Sequence, residues 1–195
     1  EHCQAKMKAE GIESEEELQG YLVARIEKYL NTKGRRIIGW DEILEGGVTP
    51  TATVMAWRGA KIGVYAAERG NEVVMTPLPI CYFDFYQTES REGEGLRIGG
   101  HINFEKVYAW NPYDGISEES RKNIIGVQCN VWSEYLKSMK MVEGQLLPRL
   151  GALCEVQWAV DRRDEATIRQ KMESIRKMYD AYGWNYAPYY FEGRK

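Results

Sequence analysis

The first clear periodic segment runs from about Ser14 to Leu30, where Leu18, Tyr21, Leu22, Ile26, Tyr29 and Leu30 recur at helical spacing on one face. Ser14 followed by Glu17 forms a capping box at its start, able to satisfy two backbone donors that a helix leaves orphaned. Gly34 supplies the break. The period then changes. Arg36-Ile37-Ile38-Gly39-Trp40 is a short apolar run of the kind buried on both faces of a parallel sheet. Thr53-Val54-Met55-Ala56-Trp57 repeats it, and Ala60 to Arg69 predicts a short helix closed by Gly70. Glu72-Val73-Val74-Met75-Thr76 is a third strand, ended by Pro77 and Pro79. From Leu78 to Lys122 no period holds and glycine is dense around residues 93–100, the mark of a long functional loop. Ile124 to Cys129 predicts a fourth buried strand. Two helices follow, about Glu143–Val156 and Asp164–Tyr182. The second carries Ile168, Met172, Ile175, Tyr179 and Tyr182 on one face and stops at Gly183. The aromatic tail, Trp184 to Lys195, is expected to pack back onto the domain.

Alternation of buried strands with helices predicts an α/β fold of parallel βα units, in which ligands bind at the carboxyl ends of the strands. The 195 residues suit one domain, residues 1–195. Glu1-His2-Cys3-Gln4 has no initiator Met and no helix start of its own, so the chain is expected to begin within a longer protein.

Charge and composition remove several classes of function. Lys and Arg number 26 against 29 Asp and Glu, a net charge of −3, so the basic excess of a nucleic-acid or polybasic membrane surface is missing. No apolar run approaches the ~20 residues of a membrane span, and no leader opens the chain. Cys3, Cys81, Cys129 and Cys154 have no metal-site spacing, and His2 and His101 are far apart, so no metal or cofactor is expected. Asp164-Glu165 complements a helix dipole. Arg35-Arg36 and Arg162-Arg163 are expected to be solvated charge. Gly99-Gly100-His101 is too short for a phosphate loop, His101 is expected to be structural, and Cys129 to act as a small hydrophobe.

Six Trp and 13 Tyr are many for this length, and their placement matters. Trp40-Asp41-Glu42, Tyr82-Phe83-Asp84 and Trp132-Ser133-Glu134 each put an aromatic two residues before a carboxylate, near a strand end. In extended chain such residues point the same way, so each triplet offers a ring beside an acceptor. Trp57 adds a fourth ring. A flat apolar face next to a hydrogen-bond acceptor suits a pyranose. Taken singly, each Trp also reads as core and each carboxylate as a cap, and that plainer reading stays open.

Longer segments around these residues carry a resemblance. Gly39-Trp40-Asp41-Glu42-Ile43-Leu44, Val54-Met55-Ala56-Trp57-Arg58-Gly59, Cys81-Tyr82-Phe83-Asp84-Phe85-Tyr86-Gln87 and Gly126-Val127-Gln128-Cys129-Asn130-Val131-Trp132-Ser133-Glu134 resemble, in order, motifs of glycoside hydrolase family 20, the β-N-acetylhexosaminidases. Leu147-Pro148-Arg149-Leu150 and Ala152 to Trp158 resemble the helix that follows them. The resemblance implies the C-terminal half, strands five to eight, of a (β/α)8 TIM barrel. It implies that Trp40, Trp57 and Trp132 wall the pocket for the N-acetyl group. Tyr82 would donate its hydroxyl to the acetamide oxygen, and Asp84 and Glu134 would accept sugar hydroxyls. Those six residues are expected to converge on one concavity, with Asp41 and Glu42 in support. The partner implied is an N-acetylhexosamine-containing glycan.

Catalysis in this family is substrate-assisted: the acetamide oxygen attacks the anomeric carbon, an Asp orients it, and the adjacent Glu protonates the leaving oxygen. That pair lies in an H-x-G-G-D-E context, which this sequence lacks, so it is expected before Glu1 and the chain alone is expected to be inactive. Two other readings compete: a non-catalytic carbohydrate-binding domain, and an unrelated α/β enzyme using Asp41 or Glu42. Half a barrel would also leave strand edges open, so a homodimer or association with the N-terminal half is expected.

Overall fold

The computed structural model describes residues 1–194, and these form two compact units, 1–75 with 113–126 and 76–112 with 127–194. The helices are α1 (His2–Glu10), α2 (Glu15–Thr32), α3 (Ala60–Glu68), α4 (Leu78–Cys81), α5 (Phe104–Ala109), α6 (Met139–Leu146), α7 (Arg149–Ala159) and α8 (Glu165–Tyr182). The strands are β1 (Ile38–Trp40), β2 (Thr53–Ala56), β3 (Val73–Met75), β4 (Phe85–Tyr86), β5 (Ile98–His101) and β6 (Ile124–Val127).

The first unit holds a four-stranded sheet in the order β1-β2-β3-β6. β1, β2 and β3 run parallel, with Ile38 opposite Thr53, Trp40 opposite Met55 and Ala56 opposite Met75. Val54, Ala56, Val73 and Met75 are fully buried under α3, which contributes Ala66 and Ala67. Burial on both faces holds for these central strands but not for the edges. Ile38 of β1 and Ile125 of β6 are 57% and 52% exposed. The fourth strand is also shorter than its apolar run, and Cys129 lies beyond it, half-buried.

Helix α2 begins as its sequence requires, with Ser14 Oγ accepting the Glu17 N–H at 3.2 Å. The Glu17 carboxylate reaches back to the Glu13 N–H at 3.1 Å. Its buried face is not the apolar one. Leu22, Ile26 and Tyr29 are 57%, 47% and 62% exposed, while Gly20 and Glu27 are buried. The cause is a close approach: a Cβ on Gly20 would run into the Gly46 backbone. That face docks, and Glu27 then accepts from the Thr49 and Thr51 hydroxyls at 2.5 and 2.6 Å, while Leu18, Tyr21 and Leu30 of the apolar face are half-buried. Helix α1 was not legible in the pattern, because its Glu1 cap makes no side-chain hydrogen bond. Arg36, expected to be solvated, is exposed but also donates to the Thr51 carbonyl and pairs with Glu72.

In the second unit, the stretch expected to be irregular contains α4, β4, β5 and α5. β4 has two residues and β5 is half glycine, so neither could show a period. Gly100 in β5 has φ +97°, and a Cβ there would strike the Phe85 ring. The helix expected over Glu143–Val156 is two helices. Pro148 has no N–H to bond the Gly144 carbonyl, so the chain breaks between α6 and α7. Helix α7 packs Ala152, Leu153 and Val156 inward and meets α5, whose start is capped by Asn103. Helix α8 starts with Asp164 accepting the Ala166 N–H at 3.1 Å and buries Ile168, Met172 and Tyr179. Tyr182, expected on that face, is exposed.

The tail folds back as expected. Tyr190 lies 4.0 Å from the Phe104 ring centre, and the Ala187 N–H reaches the Leu147 carbonyl at 2.9 Å. Lys195 lies outside the described residues. Arg163 departs from the solvated reading, since its guanidinium donates to the Tyr108 and Trp110 carbonyls.

The inverted burial of α2 is testable by stability. Gly20→Val should cost roughly 1–3 kcal/mol in urea unfolding through overpacking. Leu22→Ala, on the exposed stripe, should stay within about 0.5 kcal/mol of the parent. The reverse ranking would show that the apolar stripe is the packed face.

Candidate functional site

Each unit carries part of the residue set that the sequence singled out. In the first unit, Trp40 ends β1 and the chain turns at once into a short 3-10 helix, Asp41–Leu44. Asp41 is fully buried there. Its Oδ2 accepts the Trp57 and Arg58 backbone N–H groups at 2.8 and 3.0 Å, and its Oδ1 takes the Arg58 side chain. Glu42 accepts the Trp57 indole N–H on both oxygens, at 3.0 Å each. Both acids therefore brace the turn that follows β2 and the Trp57 ring. Asp41 is thereby engaged wholly within its own unit, and half-buried Glu42 is engaged there through the Trp57 indole.

The second unit gathers Tyr82, Asp84, Trp132 and Glu134. A short parallel bridge does the positioning: the Phe83 N–H donates to the Asn130 carbonyl and the Asn130 N–H to the Cys81 carbonyl, each at 2.8 Å. Asn130 is itself held by Thr76, its Nδ2 donating to the hydroxyl at 2.8 Å. The bridge lays the segment bearing Tyr82 and Asp84 alongside the one that continues to Trp132 and Glu134. Tyr82 is buried with its ring 6.0 Å from that of Phe85, whereas Trp132 and Glu134 are exposed.

Asp84 is the unusual member. It is buried, and neither carboxylate oxygen completes a hydrogen bond among the described residues. Burial pushes its pKa above the ordinary carboxylate value. The Glu134 carboxylate adds to that rise, while the Asp84 and Trp132 backbone amides and the Arg149 charge draw it back. A buried acid with two idle acceptors costs the fold stability unless something supplies donors.

Behind this segment stand two residues that pattern reasoning missed. Arg149 is fully buried at the start of α7, and Gln145 is buried near the end of α6. Gln145 Nε2 donates to the Phe83 and Phe85 carbonyls at 3.0 and 3.1 Å. Arg149 donates to the carbonyls of Phe83, Phe85, Ile102 and Gln145. A signal for Arg149 was present: a single cation inside Leu146-Leu147-Pro148-Arg149-Leu150, an otherwise apolar run. His101, expected to be structural, places its Nε2 3.1 Å from the Gln87 carbonyl. No group of three or more His, Cys, Asp or Glu side chains among the described residues is placed to hold a metal, and no described helix is long and apolar enough to cross a membrane.

Comparison with known proteins agrees with the motifs. Residues 1–161 match the family description "Glycosyl hydrolase family 20, catalytic domain". The chain belongs to glycoside hydrolase family 20. A β-hexosaminidase of Porphyromonas gingivalis is 39% identical over 187 residues, covering 94% of this chain and 24% of that protein. A β-hexosaminidase of Vibrio furnissii is 32% identical over 154 residues, covering 77% and 25%. Among solved structures, the family 20 exo-β-N-acetylglucosaminidase of Vibrio harveyi in complex with N-acetylglucosamine superposes with a TM-score of 0.85. It is 28% identical and covers 94% of this chain and 29% of its own. This family 20 chain therefore has the α/β fold with a parallel sheet seen in its relatives, and it spans about a quarter of the two curated relatives' length.

The idle carboxylate gives a sign-definite prediction. Asp84 has a raised folded pKa, so its contribution to stability is full below its unfolded pKa and is lost as pH rises through the folded value. At pH 7 the Asp84 charge therefore costs stability. Asp84→Asn should raise the urea midpoint at pH 7, with the gain shrinking as pH falls through the Asp84 titration. A variant less stable than the parent at pH 7 would mean that the charge is paired.

Proposed function

We propose that the protein of which these residues are part is an exo-acting β-N-acetylhexosaminidase, releasing terminal non-reducing N-acetylhexosamine from a glycan by substrate-assisted, retaining catalysis. The observation that carries this reading is Asp84. A buried carboxylate with both oxygens unused, beside a tyrosine and followed across a bridge by an exposed Trp-x-Glu, is an acceptor set in want of hydroxyl donors. A sugar supplies those donors at its edge and a flat C–H face for the ring. The relatives' names and the structure holding N-acetylglucosamine point to the same ligand class.

In this reading Asp84 and Glu134 accept sugar hydroxyls, Tyr82 donates to the acetamide oxygen, and Trp132 offers a stacking face. The roles of Trp40 and Trp57 as further aromatic walls rest on their sequence motifs, with Asp41 and Glu42 bracing Trp57 within their own unit. The acetamide oxygen then attacks the anomeric carbon as the bond to the leaving oxygen breaks, giving an oxazoline that water opens. No residue among the 195 fits the H-x-G-G-D-E motif that carries the acid and the orienting Asp. Residues 1–195 are thus read as part of a glycosidase catalytic domain, strands five to eight of a (β/α)8 barrel, that needs those two groups from elsewhere in the protein. The rest of that domain is also the natural cover for Leu22, Ile26 and Tyr29 on α2.

The test uses an aryl N-acetyl-β-glucosaminide. The 195-residue chain alone should show no turnover above background, because general acid catalysis alone is worth ~10²–10⁴-fold. In the complete protein, Asp84→Asn should lower kcat/KM roughly 10- to 100-fold while leaving the fold intact. Turnover by the chain alone that Glu42→Gln abolishes would overturn the assignment and make Glu42 the acid. Full activity in the Asp84→Asn protein would remove Asp84 from the site.

The uncovered stripe makes a separate expectation about size. By light scattering, the isolated chain should run larger than a monomer at micromolar concentration. Replacing Leu22, Ile26 and Tyr29 with Lys should return it toward the monomer. A monodisperse monomer before substitution would show that the stripe needs no cover.

A further inference from the structure

Arg149 presents a physical puzzle. A cation taken wholly out of water is ordinarily matched by a carboxylate at hydrogen-bond distance, because desolvation costs several kcal/mol per ion. Arg149 has none. Every hydrogen bond it makes goes to a backbone carbonyl: Nε to Gln145 at 3.2 Å, Nη1 to Ile102 at 2.9 Å and Phe85 at 3.3 Å, Nη2 to Gln145 at 2.6 Å and to Phe83. Its guanidinium also stacks over the Phe83 ring, 4.6 Å from the centre. Burial brings its pKa down to about 9, so it keeps its charge at neutral pH. The positive charge is dispersed over carbonyl dipoles, with the Glu94 and Asp84 carboxylates acting on it without a hydrogen bond among the described residues.

The carbonyls chosen are specific. Phe83 and Phe85 flank Asp84 in sequence, and Phe83 follows Tyr82. Both carbonyls are held twice, by Arg149 and by Gln145. Anchoring the peptide on each side of Asp84 fixes the backbone from which its carboxylate projects. The Arg149 charge meanwhile favours the ionised form of that carboxylate.

We infer that Arg149, assisted by Gln145, is a positioning residue for the sugar-binding carboxylate: it clamps the Phe83 and Phe85 carbonyls on either side of Asp84. The inference rests on the reading of Asp84 as a sugar-binding residue for its purpose, but not for its geometry. The groups bearing on Asp84 are Glu134, which opposes its ionisation, and Arg149 with the Trp132 and Asp84 amides, which favour it. Those bearing on Arg149 are Glu94, Cys129, Asp84 and, with opposite sign, Arg97.

A side-chain carboxyl titration of Asp84 by carbon-13 NMR tests this in the chain with no ligand present. Arg149→Met should move the Asp84 midpoint upward, and Arg149→Lys should restore it most of the way, since the charge returns without the planar fork. Gln145→Leu keeps the charge. It should leave the midpoint in place while speeding amide hydrogen exchange at Phe83 and Phe85 about tenfold or more. A midpoint unmoved in Arg149→Met, or unchanged exchange in Gln145→Leu, overturns the inference. If Arg149→Met does not fold, Arg149→Lys decides: a wild-type midpoint with faster exchange at Phe83 and Phe85 supports the clamp, and wild-type exchange overturns it. Because no sugar enters the titration, full activity of the complete protein with Asp84→Asn, while Asp84 still answers to Arg149, would sink the functional reading of Asp84 and leave the clamp standing.

Discussion

A guanidinium withdrawn from water must find acceptors for its N–H groups, and the way Arg149 finds them organises much of the second unit. One acceptor comes from the break between α6 and α7, where Pro148 ends the helical ladder and the Gln145 carbonyl turns to its neighbour's side chain. The Gly144 carbonyl, freed by the same proline, is taken by Gln87 Nε2 at 2.8 Å. Other acceptors come from Phe83, Phe85 and Ile102, far off in sequence. One side chain therefore ties the loop after α4, the approach to α5 and the α6–α7 junction to a common point. Remove it and several buried carbonyls lose partners together, which is why such a group behaves as a unit and not as a sum of separate bonds.

The two buried aspartates show how similar local sequences acquire different tasks. Asp41 and Asp84 both belong to aromatic-acid clusters close to strand ends. Asp41 meets two backbone N–H groups and an arginine, and its acceptor capacity is spent on holding Trp57 and Arg58 in place. Neither Asp84 oxygen completes a hydrogen bond among the described residues, and the Glu134 and Arg149 charges act on it in opposite directions. A satisfied carboxylate stabilises the fold, whereas an unsatisfied one destabilises it until a ligand arrives. Under the proposed function, retaining the second kind in a buried position trades stability for binding.

Helix α2 makes a related point about surfaces. Its hydrophobic periodicity is real, yet Gly20 lets the opposite, small-residue face come so close to Gly46 that this face wins the contact. Leu22, Ile26 and Tyr29 are left outward as a result.

Periodicity, capping and proline placement by themselves determined the parallel strands β1 to β3, the start of α2 and the extent of α8, because each depends on contacts within a few residues, while the family motifs were legible as a resemblance. The aromatic-acid triplets were likewise visible as spacing. What spacing could not decide was which carboxylate would be satisfied: the partners of Asp41 sit about sixteen residues away, and the residues that frame Asp84 lie some sixty to sixty-five away on α6 and α7. Nor could it find β4 and β5, too short for any period, or the importance of Arg149, which reads as a routine helix-start cation until its burial is known. Hydrogen-bond satisfaction and desolvation are properties of the folded neighbourhood, so only the tertiary structure separated the acid that braces from the acid left open.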